Sequence, residues 1–374
     1  MRFGANRRNP REQSFFLGEG SMMPTKGLSL LAISFALAGL LGCGSSTHTA
    51  YVSLPTVNQI AAFHFTDSGK ISGVFGAPFA AGPSATSVVV DPTGKFAYAA
   101  NQGEADISLF TVDPRSGSLV EVLPRFNAGS NPTALVIDPS GGFLFAANQG
   151  SNNISSYAID PGSGALKEVA GSPFPANNGP VTMTLTPSGK FLYVTNPNLT
   201  TVSAFSVSSG VLQPIGSPVL VGRGPSGLTV DSGEHFLYVA NSLDSTISVL
   251  AIDSSTGALT NIPESPFVTG TNPFSSAFDP TGKFLYVANQ TSDNISGYSV
   301  DSNGILTELD NSPYTGGTGP LLIELEPNGH FLFVMDQAGK DIEEFTIDSK
   351  TGDLTKGSFS TTVGSPPTSL TLVK

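Results

Sequence analysis

A hexapeptide, FLYVAN or a near variant, recurs six times along this chain at almost constant spacing. The copies begin at Phe96, Phe143, Phe191, Phe236, Phe284 and Phe331, so successive starts lie 47, 48, 45, 48 and 47 residues apart. A repeat of this length is one supersecondary unit that cannot bury its apolar faces alone, so neighbouring copies must stack. With 42 Gly, 28 Pro and only 12% charged residues among 374, the chain is suited to many short strands joined by tight turns.

Each repeat carries four apolar segments. In the sixth, Leu321 to Leu325 reads as an inner strand, and Glu326-Pro327-Asn328-Gly329 as a turn. Phe331 to Val334 is a continuous apolar run, as expected of a strand buried on both faces. Ile342 to Ile347 is a third strand, and Leu354-Thr355 marks a short outer strand after Ser349-Lys350-Thr351-Gly352. The fourth positions of the third strands are Phe63, Phe110, Tyr157, Phe205, Leu250, Tyr298 and Phe345. Large side chains at one register are what stacked, twisted sheets need to interdigitate.

The count closes at seven. Second strands start near Tyr51 and at the six Phe positions. Inner strands follow Pro83, Pro132, Pro180, Pro225, Pro273, Pro320 and Pro367. The N-terminal region therefore supplies the outer three strands of one blade, and Thr368 to Val373 supplies its inner strand. This closes the ring and hides sheet edges. The expected fold is all-β: a seven-bladed β-propeller with four antiparallel strands per blade.

Ahead of the repeats, Leu28 to Leu41 is apolar apart from Ser29, Ser34 and Gly39, with Lys26 before it. This is the layout of a secretory signal peptide and is short for a membrane span. Residues 1–21 read as an over-extended start, with Met22 or Met23 as initiator. The run ends Leu40-Leu41-Gly42-Cys43, which resembles a bacterial lipobox, and Cys43 is the single Cys of the chain. That resemblance implies lipidation at Cys43, and Gly44 in the next position implies the outer membrane of the cell envelope. The expected division is 1–42 start and signal peptide, 43–49 lipidated Cys and tether, and 50–374 propeller.

Formal net charge is -12, although Arg2, Arg7, Arg8, Arg11 and Lys26 all precede Cys43. A body this acidic argues against a nucleic-acid partner, whose phosphates need clustered Lys and Arg. It also disfavours phosphorylated ligands and direct contact with anionic lipid, leaving the lipid anchor as the only membrane attachment.

The FLYVAN strand, the ISxF strand and the SGxL turn together resemble the YVTN repeats and the seven-bladed lactonase superfamily over about residues 50–374. That superfamily includes the propeller type of 6-phosphogluconolactonase and fungal muconate-lactone enzymes. The resemblance implies a Gly-Pro-Arg-His sequence where an inner strand enters the mouth, and a Glu just after a second strand. Here the corresponding segments begin Gly82-Pro83, Asn131-Pro132, Gly179-Pro180, Gly224-Pro225, Asn272-Pro273, Gly319-Pro320 and Pro366-Pro367, and none continues Arg-His. After the second strands come Gln102, Gln149, Pro197, Ser242, Gln290 and Gln337, with no Glu.

Three side chains remain as catalytic candidates. Arg223 precedes Gly224-Pro225 and is placed to meet a carboxylate or phosphate. Glu324 lies in an inner strand where the other repeats have Val89, Val136, Thr184, Thr229, Ala277 and Thr371. Asp336 replaces the Asn found at 101, 148, 196, 241 and 289. Against these stand bland readings: a surface ion pair for Arg223, a solvated channel residue for Glu324, and loop backbone contacts for Asp336. His235 and His330 occupy a turn slot held elsewhere by Lys95, Lys190 and Lys283, His64 sits in a third strand and His48 in the tether. No His/Asp/Glu grouping shows metal-ligand spacing, so neither a metal nor a cofactor is expected.

The leading expectation is a binding or scaffold propeller on the envelope, with a sugar, lactone or protein ligand at the mouth held by Arg223, Gln102, Gln149, Gln290 and Gln337. The alternative is a lactone hydrolase of the 6-phosphogluconolactonase type with a non-standard catalytic set. A third reading makes the chain a structural partner that uses its blade faces. Oligomeric state is left open.

Overall fold

Because the first four residues of each hexapeptide strand are apolar, that strand must be covered on both faces, and the architecture follows from that requirement. The computed structural model describes residues 47–373, apart from Asp67 and Pro327. The expected signal segment and Cys43 lie outside the described residues. The chain forms seven antiparallel sheets arranged as a propeller. We number blades 1 to 6 by the six hexapeptides; blade 7 is built from both chain ends.

The FLYVAN strand of blade 5, Phe284–Asn289, shows how the stack works. Phe284, Tyr286 and Ala288 pack toward blade 6, while Leu285 and Val287 pack toward blade 4. Side chains of a strand alternate between faces, so one strand feeds two interfaces. The core is accordingly divided into seven clusters, one per blade junction. The seven aligned positions from Phe63 to Phe345 each enter a different cluster, and all are buried.

The hexapeptide Phe and the turn Gly of the next repeat are mutual partners. Gly257 has φ +74°, and a Cβ there would stand 2.3 Å from the Phe191 ring. Gly164 meets Phe96, Gly304 meets Phe236 and Gly352 meets Phe284 in the same way. Left-handed backbone and close approach of a ring both require Gly. The two sequence signatures therefore repeat together because each fits the other across a junction.

Ring closure is as expected. Ser369–Leu372 pairs with Thr47–Leu54, with Ala50 opposite Leu372 and Ser53 opposite Ser369. The first strand starts at Thr47, ahead of the expected boundary at 50, so His48 and Thr49 lie in a strand opposite Phe65 and His64. His48 thus leaves the tether assigned to it; its Nε2 lies 3.8 Å from Glu326 Oε1. The fourth position of each blade is more varied than the sequence indicated. Blades 1 and 6 have one continuous outer strand, Leu119–Asn127 and Leu354–Thr362, each with a bulge against the third strand. In the other five the third strand carries two short outer partners, such as Leu166–Glu168 and Phe174–Pro175 in blade 2.

Candidate functional site

The inner strands surround a central channel. At the mouth end a cavity of about 370 Å³ is lined by the first residues of each inner strand, including Thr86, Thr133, Thr182, Ser226 and Thr368. The opposite end widens to about 810 Å³ between the turns bearing Pro92, Pro139, Pro187 and Pro280. The mouth hydroxyls form a chain around the channel. Thr86 Oγ1 donates to the Pro132 carbonyl (3.0 Å), Thr133 to Val181 (2.9 Å), Thr182 to Ser226 (2.8 Å), Ser226 to Pro273 (2.9 Å) and Thr368 to Thr86 (2.9 Å). Each reaches the next blade, so these hydroxyls tie blade 7 and blades 1 to 5 together in series.

Among the described residues Glu324 is the one ionisable side chain lining the mouth cavity, and it also borders the cavity at the other end. It is half-buried and stands opposite Phe333 in the sheet. The other two catalytic candidates do not join it. Arg223 is 70% exposed; its Nε lies 2.6 Å from Asp244 Oδ1 and its backbone N–H donates to Asp244 Oδ2. These hydrogen bonds hold the Asp244 carboxyl below the usual range, the backbone N–H contributing most. The bland reading of Arg223 is therefore the observed one. Asp336 is fully buried and lines neither channel cavity.

The four glutamines sit at the mouth, half-buried. The backbone N–H groups of Gln102, Gln149, Gln290 and Gln337 donate to the residues just ahead of the inner strands, Ser84, Asn131, Asn272 and Gly319. Two of the side chains also bridge blades, Gln290 donating to Gln337 (2.8 Å) and Gln337 to the Pro367 carbonyl (3.3 Å), while Gln290 accepts from Asn272 within its own blade. Gln149 accepts from Asn131 at 2.7 Å. His235 is 71% exposed with Nδ1 3.4 Å from Asp231, His330 is exposed, and His64 Nδ1 is 3.2 Å from Thr49 Oγ1.

The Asn that ends the first five hexapeptides bonds chiefly to side chains of the next strand. Its buried amide donates to a Ser seven residues on: Asn101 to Ser108, Asn148 to Ser155, Asn196 to Ser203, Asn241 to Ser248 and Asn289 to Ser296, all at 2.8–2.9 Å. It also reaches the residue five on, such as Asn153 or Asn294. In blade 6 the same three slots hold Asp336, Asp341 and Glu343, whose ligand oxygens lie within 4.8 Å of one another. Desolvation, then the charges of Glu343 and Asp341, pushes the Asp336 carboxyl up to about 8. Burial and Glu343 likewise raise Asp341. The sequence expectation of no metal-ligand grouping missed this cluster, because spacing of five and seven becomes proximity only across a formed hairpin. The aligned third strands carried the signal: Glu343 stands where five repeats have Ser.

The chain matches the family described as Lactonase, 7-bladed beta-propeller, over residues 46–178, 169–275 and 270–370. It belongs to that family. Among solved structures, a candidate 6-phosphogluconolactonase from Bacteroides fragilis superposes with a TM-score of 0.75 at 23% identity, covering 88% of this chain and 98% of that one. A Pseudomonas aeruginosa periplasmic gluconolactonase gives 0.73 at 20% identity, covering 88% and 99%. A Lactobacillus plantarum protein gives 0.74 at 18%, covering 88% and 100%. These likenesses are of fold. No protein of curated function matches significantly in sequence.

Proposed function

We propose that this lactonase-family propeller hydrolyses a neutral sugar lactone in the mouth of its channel. The observation that carries the reading is Glu324, among the described residues the single carboxylate on an otherwise uncharged wall of hydroxyl and apolar side chains. A cavity of about 370 Å³ is in the range of small-molecule sites. With no Lys or Arg on that lining among the described residues, the site suits a lactone without phosphate. Family membership and the gluconolactonase from Pseudomonas support the reaction class.

In this scheme Glu324 takes a proton from a water that attacks the lactone carbonyl. The ring C–O bond then breaks, the alkoxide regains the proton, and a hydroxy acid leaves. A general base of this kind contributes about 10²- to 10⁴-fold. The test is turnover of glucono-lactone and 6-phosphogluconolactone by the purified protein. Wild type should exceed the spontaneous rate on the neutral lactone, Glu324→Gln should lose that excess, and Arg223→Ala should retain it.

The second reading, a binding propeller, is favoured by mouth hydroxyls already committed to neighbouring carbonyls. No turnover in folded protein, together with a sugar-induced rise in Tm, would select it. Export and lipid anchoring at Cys43, with placement in the outer membrane, remain part of the proposal on the strength of the apolar run and the Leu-Leu-Gly-Cys sequence. Fatty-acid labelling of wild type and not of Cys43→Ser is the expected result.

A further inference from the structure

Five blades close their mouth-side hairpin with an amide that donates to hydroxyls and other neutral or singly charged partners. Blade 6 has only acceptors in those slots. Asp336 is fully buried, and neither carboxylate oxygen has a hydrogen-bond partner. Asp341 Oδ1 and Glu343 Oε2 are buried and unpartnered as well. The three carboxylates thus bring one oxygen each within 4.8 Å of the others, an arrangement that is unfavourable for ionised groups unless something positive lies among them. Lys356 Nζ, 2.8 Å from Glu343 Oε1, supplies one positive charge and leaves two negative charges on the ionised cluster. Gly317 packs against Asp336 as Gly82, Gly129, Gly222 and Gly270 pack against the Asn of other blades, whereas Gly339 packs against Asp341 in blade 6.

We propose that Asp336, Asp341 and Glu343 bind one hard divalent cation of the calcium type, fastening the mouth-side hairpin of blade 6. The donor set is all carboxylate, which selects Ca²⁺ or its hard relatives over Zn²⁺ or Cu²⁺. Oxygens up to 4.8 Å apart fit around an ion that bonds at 2.3–2.6 Å. The site is structural, lies outside the channel lining, and does not depend on the hydrolase reading.

The experiment is a thermal melt of the chelator-treated full chain, titrated with CaCl2, MgCl2 and MnCl2, beside Asp336→Asn. That variant restores the amide of the other blades and so keeps the fold. A rise in Tm that grows with the logarithm of free ion and reaches about 5 °C at about 100 times Kd is expected for wild type. Asp336→Asn should lose the response and, without metal, melt above wild type. Calorimetric titration should give one ion per chain for wild type and none for the variant. An unresponsive wild type, or equal responses in both proteins, would overturn the proposal. In the first case the cluster is held by a shared proton; in the second the ion binds elsewhere.

Discussion

Tyr98 and Tyr238 occupy the same slot of the hexapeptide in different repeats, yet only one has a partner. Both rings are fully buried and face the following blade. Tyr98 donates its hydroxyl to the Gly164 carbonyl at 2.8 Å, as Tyr51 does to Gly117, Tyr193 to Gly257 and Tyr286 to Gly352. Tyr238 should meet Gly304, but the turn from Asp301 to Gly304 is one residue shorter than those from Asp113, Asp160, Asp253 and Asp348. Its hydroxyl is left without a partner, beside a cavity of about 310 Å³ lined by Tyr238, Phe278, Asp301 and Ser302. Another short turn, at Gly210, packs against Phe143; Phe145 fills the Tyr slot of that repeat and has no hydroxyl, and Ser156 bonds the Gly210 carbonyl instead.

Tyr98→Phe removes a buried hydrogen bond and leaves a carbonyl unpaired, a loss of about 1–2 kcal/mol. Tyr238→Phe removes a buried orphan and should be neutral or stabilising by up to about 1 kcal/mol. The two variants should therefore differ by about 2 kcal/mol, or roughly 4 °C in Tm for a chain of this size. Calorimetry or far-UV circular dichroism melts of both variants against wild type measure the gap. Equal destabilisation at both positions would refute the reasoning and mean that water in the cavity satisfies Tyr238.

The interlock of ring and turn predicts that Gly257→Ala costs about 3 kcal/mol, from left-handed strain plus overlap with Phe191. Gly216→Ala, with φ +60° and nothing within 4 Å of the added carbon, should cost only about 1 kcal/mol; equal urea midpoints would deny the packing term. All eight tyrosines are held above their ordinary value of 10.0, burial being the main cause in each. A raised folded value means stability that is complete below pH 10 and lost as pH climbs above it. Tyrosinate absorbance at 295 nm should therefore rise only with unfolding, and a fraction titrating near pH 10 with native dichroism would contradict this.

The propeller was legible because its signals are short and repeated. Phe at the start of a strand, Pro before the inner strand and Gly in the outer turn each recur at a fixed place, and their count alone closes the ring. The divided outer strands escaped because pieces such as Phe174–Pro175 or Tyr314–Thr315 are too short to show a period. Glu324 was visible as the odd residue in its aligned column. Its position on the channel wall required the register opposite Phe333. Arg223 looked free in one dimension because Asp244, its partner, lies 21 residues on across the mouth hairpin. The substitution of Asn by Asp at 336 was readable too, but its meaning depends on Asp341 and Glu343 arriving from the next strand.

The seam between the chain ends has a mechanical consequence. Thr47–Leu54 and Ser369–Leu372 run antiparallel, so the leading end of one strand and the trailing end of the other lie side by side. A force that separates the two ends loads the Ala50–Leu372 pair first and the Ser53–Ser369 pair last. The strands peel apart one rung at a time, as a zipper does, where a sheared pair would share the load over every rung. Tension on the chain ends would thus open this ring at its weakest geometry while the other six blades stayed intact.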